Sequence, residues 1–335
     1  MRGRTGASTV RGLALGLVVA AVLTAATAGC GGTDGRGALQ PEGSSASTAP
    51  TAAAAAATTV AGCTRPATAP TTVAYEQVAG VDPDLVSVDV YPLPDGCPPA
   101  PVVFWVHGGG WAKGDKANES TTTKAAWAAS HGWVLVAVNY RLSTPGSGVV
   151  WPTHGRDVAA AVTYTLDHAE QFGIDPAHVA LMGHSAGAHI VSFLAVAPDQ
   201  LAVTGREAPT VGCLVALDTE GYDLVDRVDT GPAVTDEMIA NAFGTDTSAL
   251  VAASPLQTLE AGGGTPPDAV IVTRGLPRRK AQANEFADAL RAHGADVTVV
   301  DATGYSHADV SQRLGTAGDS VVTPPVSTFL QSCLA

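Results

Sequence analysis

Six short apolar runs after residue 100 constrain the fold of this 335-residue chain more than any other feature of its sequence. They are four to seven residues long and rich in β-branched side chains: 102–106, 133–138, 179–182, 211–217, 269–272 and 297–300. A strand that is buried on both faces is apolar throughout, whereas a half-exposed strand alternates. The runs therefore predict a parallel sheet that is covered on both sides. An earlier segment, Val86–Leu93, alternates and predicts a half-exposed strand.

Helical stretches separate these runs. Apolar side chains at steps of three and four residues form one stripe, at Val158, Val162, Leu166, Ala169 and Phe172. Phe286 and Leu290 form a second stripe, which Gly294 ends. The alternation predicts one doubly wound α/β domain over 72–335, with a mostly parallel sheet of about eight strands. Residues 219–265 interrupt it and are expected to form a small insertion near the site, with a helix at Thr235–Phe243.

The amino terminus has the features of an export signal over residues 1–29. Basic residues precede Leu13–Ala28, an apolar run of 16 residues. A helix that spans a bilayer needs about 20 residues, so this run suits the core of a signal peptide better than an anchor. Residues 27–30 resemble the lipobox of bacterial lipoproteins, which implies cleavage before Cys30 and lipid attachment to its sulfur. Ordinary secretory cleavage after the Ala-Thr-Ala at 26–28 is the alternative.

Either form of cleavage places the mature chain outside the cytoplasm, with a lipid at Cys30 as its sole expected contact with a membrane. Small residues and prolines dominate from residue 31 to about 70, so we expect a flexible tether over 30–71. The formal net charge is −13, from 18 basic and 31 acidic residues. Because such a surface repels phosphate backbones, nucleic-acid binding is not expected.

Four cysteines remain after Cys30, and an even number in an exported chain favours two disulfides. Cys63 and Cys97 form the preferred first pair, because both precede the first buried strand. Cys213 would then pair with Cys333. The alternative is that Cys213, which lies inside an apolar run, is a buried free thiol.

Two glycine motifs are placed where acyl-transfer chemistry needs them. Gly183–Gly187 reads G-H-S-A-G, between a predicted strand and the apolar helix Ile190–Val196. In that context G-x-S-x-G forms a sharp turn that exposes the serine hydroxyl. His107–Trp111 reads H-G-G-G-W directly after the strand 102–106. Consecutive glycines can direct backbone N–H groups at a developing oxyanion, and neither the P-loop lysine nor the spacing of a dinucleotide-binding motif is present.

The residues of these two motifs, and the order of the motifs along the chain, resemble those of the α/β-hydrolase superfamily. The resemblance points to the hormone-sensitive-lipase-like esterases, with relatives of feruloyl-esterase and kynurenine-formamidase type. It implies a serine hydrolase of carboxylic esters with no metal or organic cofactor, and a small-molecule substrate. It also implies Ser185 as the nucleophile, with the backbones of Gly109, Gly110 and Ala186 as oxyanion donors.

The general base of such a fold is a histidine after the last strand, because the chain order is serine, acid, histidine. Of nine histidines, only His307 lies there, in the loop 304–307. His107 and His184 are within the motifs and are expected to brace their loops. His189 follows the serine on its helix and is expected to pack.

The carboxylate that should complete the triad is not at the position that the family pattern predicts. It usually follows the strand that corresponds to 269–272, but here no carboxylate occurs between Asp268 and Glu285. Asp218, at the end of the preceding strand, is the best-placed alternative, because parallel strands deliver their carboxyl ends to one edge. Glu220 and Asp223 are further candidates, and a triad without an acid is another. The missing acid also leaves a non-catalytic binding protein as an alternative to an esterase, and the run 183–189 leaves an amide hydrolase of formamidase type. The oligomeric state is left open.

Overall fold

The computed structural model describes residues 62–64, 69–202, 208–230 and 233–335. The predicted export signal, the lipid-attachment residue Cys30 and most of the predicted tether lie outside the described residues. The described chain contains one eight-stranded sheet. Its strands are β1 (Thr71–Ala74), β2 (Ser87–Tyr91), β3 (Ala100–Val106), β4 (Val134–Val138), β5 (Ile174–His184), β6 (Cys213–Leu217), β7 (Asp268–Thr273) and β8 (Val297–Asp301).

The strand order is β1-β2-β4-β3-β5-β6-β7-β8. β1 and β2 pair antiparallel, and β2 is antiparallel to β4, whereas β3 to β8 are all parallel. The prediction of a mostly parallel sheet of about eight strands is confirmed. The carboxyl ends of β5 and β6 are neighbours in register, with His184 opposite Leu217. The residues that follow these two strands, Ser185 and Asp218, therefore emerge side by side.

Helices cover both faces of the sheet. They are α1 (Glu119–Ser130), α2 (Thr153–Asp167), α3 (Ala169–Phe172), α4 (Ala186–Val196), α5 (Leu224–Thr230), α6 (Ala233–Phe243), α7 (Thr247–Ala252), α8 (Pro255–Glu260), α9 (Pro277–Ala292), α10 (His307–Gln312) and α11 (Thr323–Cys333). Alternate residues of β3 enter two separate apolar clusters. Phe104 packs in the cluster that contains α2, α4 and α9, and Trp105 packs in the one that contains α1, α10 and α11. Burying each such side chain stabilises the fold by about 1.5–3 kcal/mol.

The prediction that Val86–Leu93 is half-exposed is wrong, because all five residues of β2 are buried. Its one charged side chain, Asp89, accepts a hydrogen bond from the Thr72 hydroxyl at 2.7 Å. The ammonium of Lys116 lies 3.8 Å from the same carboxylate. An alternating pattern usually marks a face in water, but a buried carboxylate is tolerated when it has such partners.

The predicted insertion between β6 and β7 consists of four short helices, α5 to α8. α6 contains the predicted helix Thr235–Phe243. α8 packs on α4, which follows the serine, and on α9. Arg227 of α5 and Met238 and Ile239 of α6 line the cavity described below, so this part of the insertion lies at the carboxyl end of the sheet.

Two disulfides join Cys63 to Cys97 and Cys213 to Cys333, with Cα–Cα distances of 5.7 and 6.1 Å. These are the pairs preferred from the sequence, and Cys213 is not a free thiol. Because Cys213 is the first residue of β6 and Cys333 the last of α11, the second bond ties the end of that helix to the amino end of an inner strand. No helix in the described part of the chain is both long and apolar enough to cross a membrane.

Candidate active site

Ser185 occupies a tight turn between β5 and α4. Its backbone has φ 54° and ψ −119°, a conformation that non-glycine residues rarely adopt. The two flanking glycines are required by space. A Cβ on Gly183 would lie 2.4 Å from the Gly187 carbonyl oxygen, and one on Gly187 would lie 2.2 Å from the Val106 carbonyl oxygen. Only glycine lets the turn close against β3, and the turn presents the Ser185 side chain at the carboxyl end of the sheet.

Strained backbone marks this region of the protein. Among the described residues, three non-glycine residues have positive φ: Trp111, Ser185 and Asp218. All three line one cavity of about 190 Å³. His307 and Ala186 line the same cavity. Strain that is held in place by surrounding structure clusters at functional sites, so this cavity is the candidate active site.

His307 and Asp218 form a hydrogen-bonded pair in that cavity. The Nδ1 of His307 lies 2.6 Å from Oδ2 of Asp218. Asp218 is completely buried, whereas the His307 side chain is 40% exposed. The Nε2–H of His184 donates to the His307 carbonyl oxygen at 2.9 Å and holds the start of α10 in place. Because Nδ1 of His307 is bonded to Asp218, its other ring nitrogen, Nε2, is left to face the cavity.

The basic segment after β7, which ends in the first turn of α9, holds Asp218. Arg274 Nε donates to Oδ2 at 2.7 Å, and Arg279 Nη1 donates to Oδ1 at 2.8 Å. Burial by itself raises the pKa of the Asp218 carboxyl. The hydrogen bond from His307 and the charges of Arg279 and Arg274 outweigh burial and lower that pKa below its ordinary value. The segment that lacks the usual acid thus supplies the cations that keep Asp218, which follows the neighbouring strand, ionised.

The two other candidate acids are bound elsewhere. Asp223 caps the start of α5 through the N–H groups of Val225 and Asp226, and it accepts a hydrogen bond from Gln257 at 2.7 Å. Glu220 lines the cavity, but its carboxylate is paired with arginines, including Arg279 at 2.8 Å. Asp218 is therefore the carboxylate among the three that the structure places on His307.

The predicted oxyanion donors fall into two groups. Gly110 and Ala186 line the cavity with Ser185, whereas Gly109 lines a neighbouring one. Ala186 is the first residue of α4, so its N–H has no partner within the helix. Gly110 has φ 60°, and a Cβ there would lie 2.0 Å from Met238 Sδ. A Cβ on Gly109 would lie 1.9 Å from the Lys113 carbonyl oxygen. The loop therefore needs glycine at position 109, where backbone blocks a Cβ, whereas a Cβ at position 110 would require the Met238 side chain to move.

Comparisons with known proteins agree with this fold. The family model described as BD-FAE matches residues 88–218, which include both glycine motifs and Asp218. A carbohydrate esterase from gut microbiota superposes with a TM-score of 0.63 at 16% identity, over 79% of this chain and 96% of that one. Esterase B from Lactobacillus rhamnosis gives 0.63 at 20% identity, over 79% and 85%. The chain has the α/β-hydrolase fold.

Curated relatives of this chain include two proteins from Mycobacterium tuberculosis. Esterase LipQ is 27% identical over 253 residues, which is 72% of this chain and 58% of LipQ. The probable carboxylic ester hydrolase LipM is 37% identical over 100 residues, 30% of this chain and 22% of LipM. The chain thus spans between about a fifth and three fifths of the length of these two relatives.

Residues that the sequence did not indicate also shape the candidate active site. Arg274 and Arg279 hold Asp218, and Arg227 lines the cavity. The run of basic residues after β7 was the available signal for the first two. In the described ranges, no group of three or more His, Cys, Asp or Glu side chains is arranged to hold a metal ion.

Three buried histidines predict the acid sensitivity of the fold. Burial lowers the pKa of His154 and His184 to about 3 and that of His189 to about 4. An unfolded histidine has a pKa of about 6.5, so the unfolded chain binds more protons between about pH 4 and 6.5. The resulting stability is complete above pH 6.5 and is lost as the pH falls. We expect the free energy of unfolding to drop by about 1 kcal/mol per pH unit for each histidine between pH 6 and 5.

Urea unfolding at pH 5 to 8 measures this dependence, with His154→Gln as the comparison. The variant lacks one titrating group. The change in its free energy of unfolding between pH 6 and 5 should therefore be smaller than that of the wild type by about 1 kcal/mol, which corresponds to about one proton. Equal slopes would show that His154 does not titrate differently in the folded and unfolded chains.

Proposed function

We propose that this protein is a serine hydrolase of carboxylic esters. One observation carries the proposal: Ser185, on its strained turn, and His307 line the same cavity. In that cavity His307 is hydrogen-bonded to the buried, ionised carboxylate of Asp218. Named esterases among the sequence relatives support the choice of ester over other acyl groups.

In the proposed reaction, the Ser185 hydroxyl attacks the ester carbonyl carbon while His307 Nε2 accepts its proton. Asp218 accepts the hydrogen bond from Nδ1–H, which fixes the tautomer that leaves Nε2 basic and stabilises the imidazolium. His307 then returns the proton to the departing alcohol oxygen, which leaves an acyl-Ser185 ester. Water, deprotonated by the same nitrogen, attacks that ester and releases the acid.

The carbonyl oxygen becomes an oxyanion during each attack. Ala186 N–H, at the amino end of α4, and the N–H groups of Gly109 and Gly110 are the proposed donors. Each such donor is worth about 3–4 kcal/mol of barrier. Trp111, Met238 and Ile239 add apolar surface to the cavity, which supports short-chain or aromatic acyl groups as substrates.

We also propose that the protein is exported from the cytoplasm. The export signal and the lipobox-like residues before Cys30 support a chain anchored to the outer face of the cell membrane by lipid, with soluble secretion as the alternative. The two disulfides support an oxidising location, because such bonds persist mainly outside the cytoplasm.

A panel of substrates tests the reaction class. We expect p-nitrophenyl acetate, butyrate and benzoate to be hydrolysed with a higher kcat/KM than N-formyl aryl amides. Faster turnover of the amides would replace the ester hydrolase with the formamidase-type reaction. Absence of turnover of both, over a Ser185→Ala background, would favour a binding protein.

A further inference from the structure

Arg227 has an unusual environment at the wall of the cavity. It belongs to α5, and its side chain is completely buried, yet it lines the cavity together with Ser185 and His307. Its Nε donates to Glu220 Oε2 at 2.5 Å. Nη1 and Nη2 are buried and have no hydrogen-bond partner among the described residues. A guanidinium has five N–H donors, so four of them lack a partner there.

The nearest additional anion does not satisfy this guanidinium. Oδ1 of Asp236 lies 3.7 Å from Nη1, beyond hydrogen-bond distance, and that oxygen is itself without a partner in the described part of the protein. A small movement that closed this gap would engage one of the four donors and leave three. Buried charged donors without partners are costly, so their presence in a cavity wall indicates a group that arrives from outside.

The charges around Arg227 also favour an anion. Four arginines form one cluster with two carboxylates: Arg227, Arg274, Arg278 and Arg279 contact Asp218 or Glu220. Counting Asp236 as a third anion still leaves one excess positive charge. The whole chain has a net charge of −13, so this excess is local. Of the four arginines, Arg227 and Arg279 line the cavity, together with Asp218 and Glu220, so an anion there would meet the unpaired donors of Arg227 and not a uniformly positive wall.

We propose that Arg227 binds a carboxylate carried by the substrate, so that the preferred esters are acidic ones. A carboxylate is the planar partner that accepts two parallel hydrogen bonds from one guanidinium, through Nη1 and Nη2. Arg279 also lines the cavity, but it is already engaged by Asp218 and Glu220. The catalytic part of this inference rests on the proposed ester hydrolysis, whereas binding of the carboxylate does not.

Matched substrates test the preference. Ethyl hydrogen succinate, glutarate and adipate place a carboxylate on the acyl side, and their primary amides are neutral analogues of similar shape. Acetoxybenzoic acid and acetoxybenzamide place the same pair of groups on the alcohol side. We expect at least one acid to exceed its amide in kcat/KM by about 10- to 100-fold, as hydrogen bonds to a buried charge are worth that much.

Two variants locate the preference. Arg227→Gln should bring the ratio of acid to amide close to one. Arg278→Gln is the matched control, because Arg278 contacts the same Glu220 at 3.5 Å but does not line the cavity. This variant removes one charge of the cluster but no donor of the cavity wall, so its ratio of acid to amide should stay well above one. If Arg227→Gln does not fold, Arg227→Lys keeps the charge but loses the paired donors, and it should lower the ratio in part.

Binding to Ser185→Ala separates this inference from the proposed reaction. Calorimetry with the same acids and amides should give a Kd at least tenfold lower for the favoured acid, and this difference should vanish when Arg227→Gln is added. That result without any hydrolysis by the wild type would keep the carboxylate site and reject the esterase. Ser185-dependent hydrolysis with equal kcat/KM and equal Kd for acid and amide would overturn the inference, with Asp236 or an ordered water satisfying Arg227.

Discussion

Ser185→Ala is expected to lower kcat for p-nitrophenyl butyrate by about 10⁶-fold, since removal of the nucleophile ends covalent catalysis. The effect is the largest that the structure predicts. The substitution removes one hydroxyl from a turn that is held by its neighbours. The Ser185 N–H donates to the Leu217 carbonyl oxygen at 2.9 Å, and His189 N–H donates to the Ser185 carbonyl oxygen at 3.1 Å. Neither bond involves the side chain, so the fold should be unchanged.

Ser192→Ala is the matched control. Ser192 lies on the same helix α4, is fully buried, and its hydroxyl has no hydrogen-bond partner among the described residues. Its loss should leave kcat within about twofold of the wild type, because removing an unpaired buried hydroxyl costs little. Equal activity of Ser185→Ala and Ser192→Ala would mean that hydrolysis does not use Ser185.

Asp218→Asn is expected to lower kcat by about 10³- to 10⁴-fold. An asparagine can present its NH₂ to His307 Nδ1, which selects the tautomer with a proton on Nε2 and prevents that nitrogen from acting as a base. The variant also leaves Arg274 and Arg279 without the carboxylate that both contact. We therefore expect a loss of stability of several kcal/mol as well, as for other buried ion pairs that lose one partner.

Asp223→Asn separates the two effects of that change. Asp223 is similarly buried and also hydrogen-bonded, but it caps α5 and does not contact His307 through any bond seen in the described chain. It should lower stability by about 1 kcal/mol or less and leave kcat nearly unchanged. Circular dichroism shows whether the Asp218→Asn protein is folded. Full turnover by the folded variant would exclude Asp218 from the mechanism.

The fold was predictable because its central strands, such as β4 and β6, are buried on both faces. The same expectation was wrong for 297–300, because β8 lies at the edge of the sheet and only Val297 of it is buried. A short, uninterrupted apolar run such as 102–106 is typical of a strand that is buried on both faces. The glycines of 183–187 mark a turn that a Cβ would block. The position of Asp218 beside His307 followed from one geometric rule, that parallel strands end at the same edge. These inferences need only local pattern and sheet topology.

Other parts of the site depend on contacts between distant segments, which a single sequence does not encode locally. Arg274 and Arg279 follow β7 but act on Asp218 after β6. Arg227 belongs to the insertion and reaches the cavity only because α5 folds back over the carboxyl end of the sheet. β2 was misjudged for the same reason, since the partners that bury Asp89 come from Thr72 and Lys116.

Labelling with a fluorophosphonate probe tests the central claim most directly, because the probe reacts with a serine hydroxyl only when a neighbouring base and oxyanion donors activate it. The account predicts one adduct per folded chain, found by mass spectrometry on the peptide that contains Ser185. The adduct should be absent from Ser185→Ala and from heat-unfolded wild type, and strongly slowed in Asp218→Asn. A folded wild-type chain that remains unlabelled, or that carries the adduct on a different serine, would contradict the account.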